Sequence, residues 1–312
     1  MGQHHEHHGH HEHHEHHGHS HAHPPAAAQA SRAFRWSIAL NTGLTALQLV
    51  IGFGFGSLAL IGDALHNLGD VIGLFLGWGA ERLSLKPPQG RFTYGYGRST
   101  QMASLINGVL IVAAGVVVVV EAIQRLVNPV PLIAGPVAWA AAAGIVINLV
   151  SARLFGHNHH HDLNQRSAVL HLLTDAAVSV AVLISAVLVG LTGWFWLDAL
   201  TAIGVGAAVI WSASGLLREA IALNLDAAPR HVDLAQVEAT LRALPGVTSV
   251  EALHIWGLST SRIALTAHLV LESEAMASEN LIQQARCALA EIGIRKSTLQ
   301  LETTHHHCRE QV

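Results

Sequence analysis

Six apolar runs, each close to the length that crosses a lipid bilayer, dominate this sequence. They cover residues 36–56, 58–80, 102–123, 132–155, 168–191 and 194–217. A helix needs about 20 apolar residues to span a bilayer, where its backbone must form its hydrogen bonds internally. Only 12% of the 312 residues are charged, against roughly 25% in soluble domains. The sequence therefore predicts a polytopic α-helical membrane protein with six transmembrane helices.

The basic residues that flank these runs lie mostly on one side of the membrane. Successive runs cross the membrane in alternating directions, so the segments between them lie on its two sides in turn. One side carries Arg32, Arg35, Arg82, Lys86, Arg91, Arg98, Arg153 and Arg166. The other side carries chiefly Arg125. Because cytoplasmic loops carry the excess of Lys and Arg, we expect a multi-pass cell-membrane protein with both termini in the cytoplasm. The formal charge is −4 and no dense basic run occurs, so we expect no nucleic-acid partner.

Histidine-rich segments occur at the start of the chain and between the fourth and fifth runs. Between His4 and His23 there are 13 histidines, interleaved with Glu and Gly. This composition cannot bury a core, so residues 1–31 are expected to form a disordered cytoplasmic tail. The tail either collects metal ions or is an appended purification tag. The second segment is either a metal-collecting loop or a solvated one, and contains His157, His159, His160 and His161.

Residues 32–218 form the predicted membrane domain. Over residues 219–312 apolar and polar residues alternate, which predicts a soluble domain. Amphipathic patterns predict helices at 231–247 and 278–294, and alternating patterns predict strands at 247–259, 262–272 and 297–303. The resulting order, αββαβ, is typical of a small open-faced α+β sandwich.

A histidine followed four residues later by an aspartate occurs twice inside the apolar runs, as His66 with Asp70 and as His171 with Asp175. Positions i and i+4 share a helix face, so each run presents one imidazole and one carboxylate together. Ionisable groups are costly in a bilayer and mark functional sites. Two nitrogens and two oxygens form a tetrahedral set suited to Zn²⁺, with Co²⁺ as a substitute. The alternative is that each pair only forms hydrogen bonds between helices.

Other classes of protein also place such residues in a membrane. An intramembrane metalloprotease needs an open coordination position and a general base, usually within HExxH, and this sequence has no HExxH. A membrane-anchored metal sensor would use the membrane part only as an anchor, which the duplicated ligands do not favour. Asp63 lies on a face next to that of His66 and is expected to shape the metal path without binding the metal.

The chain after residue 31 resembles the cation diffusion facilitator family of divalent-metal transporters. The resemblance rests on SLALIGDALHNLGD, RFTYGYGR, GVVVVVEAIQRLVNPVP, GIVINLVSARLF, SAVLHLLTDAAVS, WLDALTAIGVGAAVI, ALHIWGLS and TLQLE. It implies a homodimer with a ferredoxin-like, metallochaperone-like cytoplasmic domain that exports Zn²⁺ in exchange for protons. It also implies a transport site at His66, Asp70, His171 and Asp175. His66 stands where cadmium-accepting members have Asp, which implies a preference for zinc over Cd²⁺.

The soluble domain contains further candidate ligands. By the same resemblance, His254, His268 and Glu302 match positions that bind regulatory zinc in parts of the family. The alternative is that each strand histidine has only a structural role. Cys308, next to three histidines at the end of the chain, could complete such a site across a dimer or belong to an unstructured collector.

Overall fold

The computed structural model describes residues 26–154, 163–273 and 276–303. Within these ranges six helices are long and apolar enough to cross a membrane. They are α1 (Ala26–Phe55), α2 (Leu58–Ser84), α3 (Ser99–Val127), α4 (Ala134–Leu154), α5 (Leu163–Thr192) and α6 (Trp196–Asn224). The prediction of a polytopic membrane protein with six helices is confirmed.

The largest differences from the predicted helix boundaries are at the start of α1 and at the end of α6. Helix α1 begins at Ala26, within the segment that the sequence analysis assigns to the tail, and the predicted disorder of that tail stays a prediction. This short segment is rich in alanine, which has the highest helix propensity of all residues. Helix α6 continues past residue 217 to Asn224, since the Leu, Arg, Glu and Ala residues there favour a helix inside or outside lipid.

The six helices expose apolar side chains outward and bury others between them. Large exposed side chains include Phe53, Phe75, Val117, Trp139 and Trp211. Apolar exposure on this scale is unusual in a soluble protein and is expected where lipid surrounds the helices. The interior of the bundle contains Leu60, Val118, Val137, Val182 and Val205.

Hydrogen bonds to residues of α3 and α6 fix the start of helix α2. Asp198, in the first turn of α6, accepts hydrogen bonds from the Ser57 hydroxyl at 2.6 Å and from the backbone amide of Leu58 at 2.7 Å. The carboxylate thereby caps the N-terminus of α2, where backbone amides lack partners within the helix. Arg125 of α3 donates to the carbonyl of Gly56 at 2.7 Å. These hydrogen bonds set the depth and rotation of α2, which carries two of the predicted ligands.

The soluble domain has the predicted αββαβ order. Its elements are α7 (Leu234–Arg242), β1 (Val247–Gly257), β2 (Ile263–Leu271), α8 (Glu279–Glu291) and β3 (Lys296–Glu302). The central strand β2 is antiparallel to β1 and parallel to β3. Residues of both helices and the sheet form one apolar core, which includes Val237, Leu241, Leu265, Leu269, Ala285 and Leu289. The prediction of an α+β domain is confirmed.

The loop at residues 91–98, between α2 and α3, lies against the soluble domain. Gln101, at the start of α3, donates a hydrogen bond to the carbonyl of Gly257 at 2.9 Å. A Cβ atom at Gly97 would overlap the carbonyl oxygen of Leu258, so this close approach requires glycine. The soluble domain is therefore on the side of the helix bundle that carries this basic loop.

Candidate metal centre

Helices α2 and α5 bring the two His–Asp pairs face to face. Nε2 of His171 lies 2.9 Å from Oδ2 of Asp70, and Nε2 of His66 lies 3.4 Å from Oδ1 of Asp175. Within each helix, the corresponding distance is 3.9 Å from His66 to Asp70 and 3.6 Å from His171 to Asp175. The sequence spacing predicts the pairs within each helix, and the structure adds the contacts between the helices.

These separations suit one tetrahedrally coordinated ion. Ligand atoms about 2.0 Å from Zn²⁺ in a tetrahedron lie roughly 3.3 Å from one another. The observed N···O distances, from 2.9 to 3.9 Å, lie on both sides of that value. In addition, His66, His171 and Asp175 have ligand atoms that all fall within 4.8 Å of one another. Asp70 is not part of this group of three and adjoins it through its contacts with His171 at 2.9 Å and His66 at 3.9 Å.

The candidate ligands differ in their access to solvent. The side chain of Asp175 is 1% exposed and that of His66 is 13% exposed, whereas Asp70 and His171 are 33% and 48% exposed. A cavity of about 350 Å³ borders Asp70 and His171, and its wall includes Ala103 near the start of α3. Since α3 begins beside the soluble domain, the cavity lies on that side of the candidate ligands.

On the opposite side of the ligands the helices pack closely. A Cβ atom at Gly115 would lie 2.8 Å from Cγ1 of Ile210, and one at Gly206 would lie 2.7 Å from Cγ2 of Val119. The void that borders His66 there measures about 10 Å³, which is too small for a passage. Among the described helices, the cavity beside Asp70 and His171 is therefore much larger than the void beside His66.

A second buried polar cluster lies next to the ligands. Oδ2 of Asp63 accepts hydrogen bonds from Nε2 of Gln48 at 2.7 Å and from the hydroxyl of Ser179 at 3.0 Å, and all three residues are fully buried. Ser179 follows Asp175 by four residues and Asp63 precedes His66 by three, so the cluster holds α1, α2 and α5 in register beside the ligands. The sequence analysis missed Gln48 and Ser179. Each is a single polar residue in an apolar run, which is a weak signal in the sequence.

The soluble domain brings two of its predicted ligands together. Nδ1 of His268 lies 2.9 Å from Oε1 of Glu302. His254 is exposed on β1, where it pairs with Thr266 and not with His268. Among the described residues, no group of three or more metal-binding side chains includes His254, His268 or Glu302. The regulatory site therefore stays a prediction.

Several predicted ligands lie outside the described residues. These are the histidines of the N-terminal tail, the loop residues His157, His159, His160 and His161, and Cys308 at the end of the chain. Their proposed roles in collecting metal ions also stay predictions.

The described chain has six helices long and apolar enough to cross a membrane, and two of them bring together two imidazoles and two carboxylates, which are donor groups suited to a divalent metal cation. Comparison with protein families agrees with these features. Residues 35–223 match the cation efflux transmembrane domain, and residues 229–304 match the cytoplasmic domain of cation efflux proteins. The chain belongs to the cation efflux family, which is the cation diffusion facilitator family. It is a transport protein and not an enzyme.

Curated relatives are similar along most of their length. A cadmium, cobalt and zinc/H⁺-K⁺ antiporter of Bacillus subtilis is 30% identical over 87% of this chain and 88% of its own. The metal cation efflux system protein CzcD of Cupriavidus metallidurans is 32% identical over 91% of this chain and 89% of its own. The zinc transporter ZitB of Escherichia coli is 33% identical over 77% of both chains.

Proposed function

We propose that this protein exports Zn²⁺ from the cytoplasm in exchange for protons, with Co²⁺ and Cd²⁺ as further substrates. The transported ion binds His66, Asp70, His171 and Asp175. The observation that carries this proposal is the convergence of four imidazole–carboxylate contacts at 2.9 to 3.9 Å between two membrane-crossing helices. The names of the relatives, which include zinc transporters and a metal/H⁺-K⁺ antiporter, support the substrate and the exchange.

The direction of transport follows from the proposed orientation. The loop between α2 and α3 carries Lys86, Arg91 and Arg98 and lies beside the soluble domain. By the positive-inside rule this side is cytoplasmic, which puts both termini in the cytoplasm of a cell-membrane protein. The cavity that reaches Asp70 and His171 then opens to the cytoplasm, as an exporter requires for loading.

The proposed assembly is a homodimer. The family model that matches residues 229–304 is called ZT_dimer, and it covers almost the whole soluble domain. Its three-stranded sheet has β1 and β3 as edge strands, whose backbone groups are available for pairing with a second chain. The protein's other partners are the lipid bilayer, the transported metal ions and protons.

Zinc uptake into proteoliposomes tests the proposed function and separates the three classes of protein. A transporter will accumulate zinc in the lumen in proportion to time and to protein content. A membrane-anchored sensor will bind zinc at the outer surface, and a chelator added to the bath will remove all of it. An enzyme will bind zinc without uptake. The absence of chelator-resistant zinc in sealed vesicles would refute the transport proposal.

A regulatory zinc ion is proposed at His268 and Glu302, and His268→Ala will remove it. Loss of the imidazole leaves too few strong ligands at this position. Equilibrium zinc binding, measured in detergent on protein without residues 1–25, will fall by one ion per chain. Transport at saturating zinc will change by less than about three-fold, because the transport ligands are untouched.

His231→Ala is the matched control for this experiment. His231 is an exposed histidine of the same domain and is not a proposed ligand. Its replacement will leave the binding stoichiometry unchanged. Equal stoichiometry in wild type, His231→Ala and His268→Ala will show that His268 binds no zinc.

A further inference from the structure

A buried hydrogen-bond cluster, the Asp63 cluster, joins helices α1, α2 and α5 and consists of Gln48, Asp63, Asn67 and Ser179. Oδ2 of Asp63 on α2 accepts from Nε2 of Gln48 on α1 at 2.7 Å and from the hydroxyl of Ser179 on α5 at 3.0 Å. Oε1 of Gln48 accepts from Nδ2 of Asn67 at 3.4 Å. Asp63 and Asn67 are four residues apart and share one face of α2, so both hold the same amide of α1. The three helices are therefore fixed to one another at this depth.

Water does not reach the Asp63 cluster. Gln48, Asp63 and Ser179 are each 0% exposed. Helix α4 also packs closely over the cluster, because a Cβ atom at Gly144 would lie 2.8 Å from Oγ of Ser179 and 3.2 Å from Nε2 of Gln48. The space left by one removed hydroxyl is smaller than the roughly 30 Å³ that a water molecule takes up. A hydrogen bond lost from this cluster is therefore not replaced by one to solvent.

The Asp63 cluster lies about one helical turn from the most buried ligand contact. Asp63 precedes His66 by three residues on α2, and Ser179 follows Asp175 by four residues on α5. The Asp63–Ser179 hydrogen bond thus joins the same two helices as the contact between Nε2 of His66 and Oδ1 of Asp175, which are 3.4 Å apart. Two helices joined at points about 5.4 Å apart along their axes cannot separate at one point without straining the other. The cluster therefore limits how far His66 and Asp175 can move apart.

The separation of the ligand atoms determines which ion size fits between them. Tetrahedral ligands about 2.0 Å from Zn²⁺ lie roughly 3.3 Å from one another, which is close to the 3.4 Å between His66 and Asp175. Cd²⁺ is a larger ion with longer bonds to nitrogen and oxygen, so its ligands must lie further apart. Resistance to this widening disfavours the binding of cadmium and leaves the binding of zinc unaffected, and specificity is the difference between the two affinities.

We propose that the Asp63 cluster determines the metal specificity of the transport site by holding α2 and α5 at the spacing that Zn²⁺ requires. The proposal rests on the proposed transport function and adds positioning residues to it. These residues act through His66 and Asp175 and do not bind the ion. Residues that orient metal ligands change metal affinity about 10- to 100-fold when mutated, so the effect of the cluster is large enough to measure.

Ser179→Ala tests the proposal, because it removes one hydrogen bond of the cluster with little change of volume. The KM for zinc uptake into proteoliposomes will rise about ten-fold, with kcat changed less than about three-fold. The inhibition constant of Cd²⁺ against zinc uptake will change less than about three-fold, since looser spacing suits the larger ion. The ratio of this inhibition constant to the KM for zinc measures specificity without requiring cadmium transport. Ser179→Ala will lower that ratio by a factor of about three or more.

Ser185→Ala is the matched control on helix α5. Ser185 is buried like Ser179, but its hydroxyl has no hydrogen-bond partner within the part of the chain that the structure describes. Its replacement will leave both constants within about two-fold of wild type. Equal specificity ratios for Ser179→Ala and Ser185→Ala will overturn the proposal.

Asp63→Asn separates the geometry of the cluster from its charge. Both donors reach Oδ2 of Asp63, whereas Oδ1 has no donor among the described residues. An amide oxygen in the place of Oδ2 accepts the same two hydrogen bonds, so the specificity ratio will stay within about three-fold of wild type. A ratio as low as that of Ser179→Ala will show that the negative charge determines specificity, and it contradicts a role of the helix spacing.

Gln48→Met serves as the test if thermal unfolding in detergent shows that Ser179→Ala is not folded. Methionine is flexible, fills a similar volume and donates no hydrogen bond to Asp63, so the specificity ratio will fall in the same direction. If the wild type takes up no zinc, the proposed function itself fails. If the wild type transports zinc but the folded variants raise the zinc KM and the cadmium inhibition constant equally, the cluster only stabilises the fold. The specificity proposal is then wrong, and the function stands.

Discussion

Alanine in place of any one of His66, Asp70, His171 and Asp175 will abolish zinc transport by the full-length protein. Each histidine has Nε2 within 3.9 Å of a carboxylate oxygen of both aspartates, so removing any one residue opens the proposed tetrahedron. Even residues that only orient metal ligands change affinity 10- to 100-fold when mutated. We therefore expect initial uptake rates in proteoliposomes to fall by roughly 100-fold or more at micromolar zinc.

The loss of zinc uptake will be larger for the alanine variants of the more deeply buried ligands. Asp175 is almost fully buried and contacts both histidines, so a water molecule cannot easily replace its carboxylate. His171 is about half exposed, and water from the cavity can occupy the position that its imidazole leaves. At millimolar zinc, His171→Ala will recover a larger share of wild-type uptake than Asp175→Ala.

Thr174→Ala is the matched control on helix α5. Thr174 is the neighbour of Asp175, and its hydroxyl bonds to the carbonyl of Leu170 within the same helix. Its replacement will leave uptake within about two-fold of wild type. Thermal unfolding in detergent will show whether the ligand variants are folded. Wild-type uptake by any folded ligand variant contradicts the proposed four-residue site.

The membrane helices were predictable because lipid permits few alternatives. An apolar run of about 20 residues in a bilayer must be helical, so the number of helices followed from the number of runs. The boundaries at Ala26 and Asn224 were not predictable from hydropathy, since both ends extend as helix where lipid no longer selects for apolar residues. The strand order of the soluble domain was not predictable from the sequence either, because the parallel pairing of β2 with β3 requires a crossover through α8.

The candidate metal site was predictable in part for a similar reason. The helical period places His66 with Asp70, and His171 with Asp175, from local spacing alone. The contact of His171 with Asp70 joins residues 101 positions apart, and only tertiary packing brings them together. The same limit applies to Gln48 and Ser179 around Asp63, which lie on three different helices. A periodic pattern predicts which side chains share a face, but it does not predict which faces meet.

Zinc loading into proteoliposomes will accelerate when the lumen is more acidic than the bath that faces the soluble domain. With neutral histidines and ionised aspartates, the metal-free ligands carry about two negative charges, which Zn²⁺ neutralises. Returning a double anion through a low-dielectric bundle would be costly, so protons must replace the metal. The imidazoles of His66 and His171 are the natural carriers, because histidine titrates near neutral pH and each of them lies within 3.9 Å of both carboxylates.

The stoichiometry of the exchange sets the size of this effect. With the membrane potential held at zero, each proton exchanged per zinc ion will raise the equilibrium ratio of lumenal to bath zinc about ten-fold per unit of pH difference. A pH-sensitive dye in the lumen will report alkalinisation as zinc enters, and a protonophore will abolish both the dye signal and the accumulation. Asp175→Ala vesicles provide the baseline for proton leak. If zinc accumulates at the same rate with the gradient collapsed and the dye signal does not change, the protein is a uniporter, and His66 and His171 bind the metal without carrying protons.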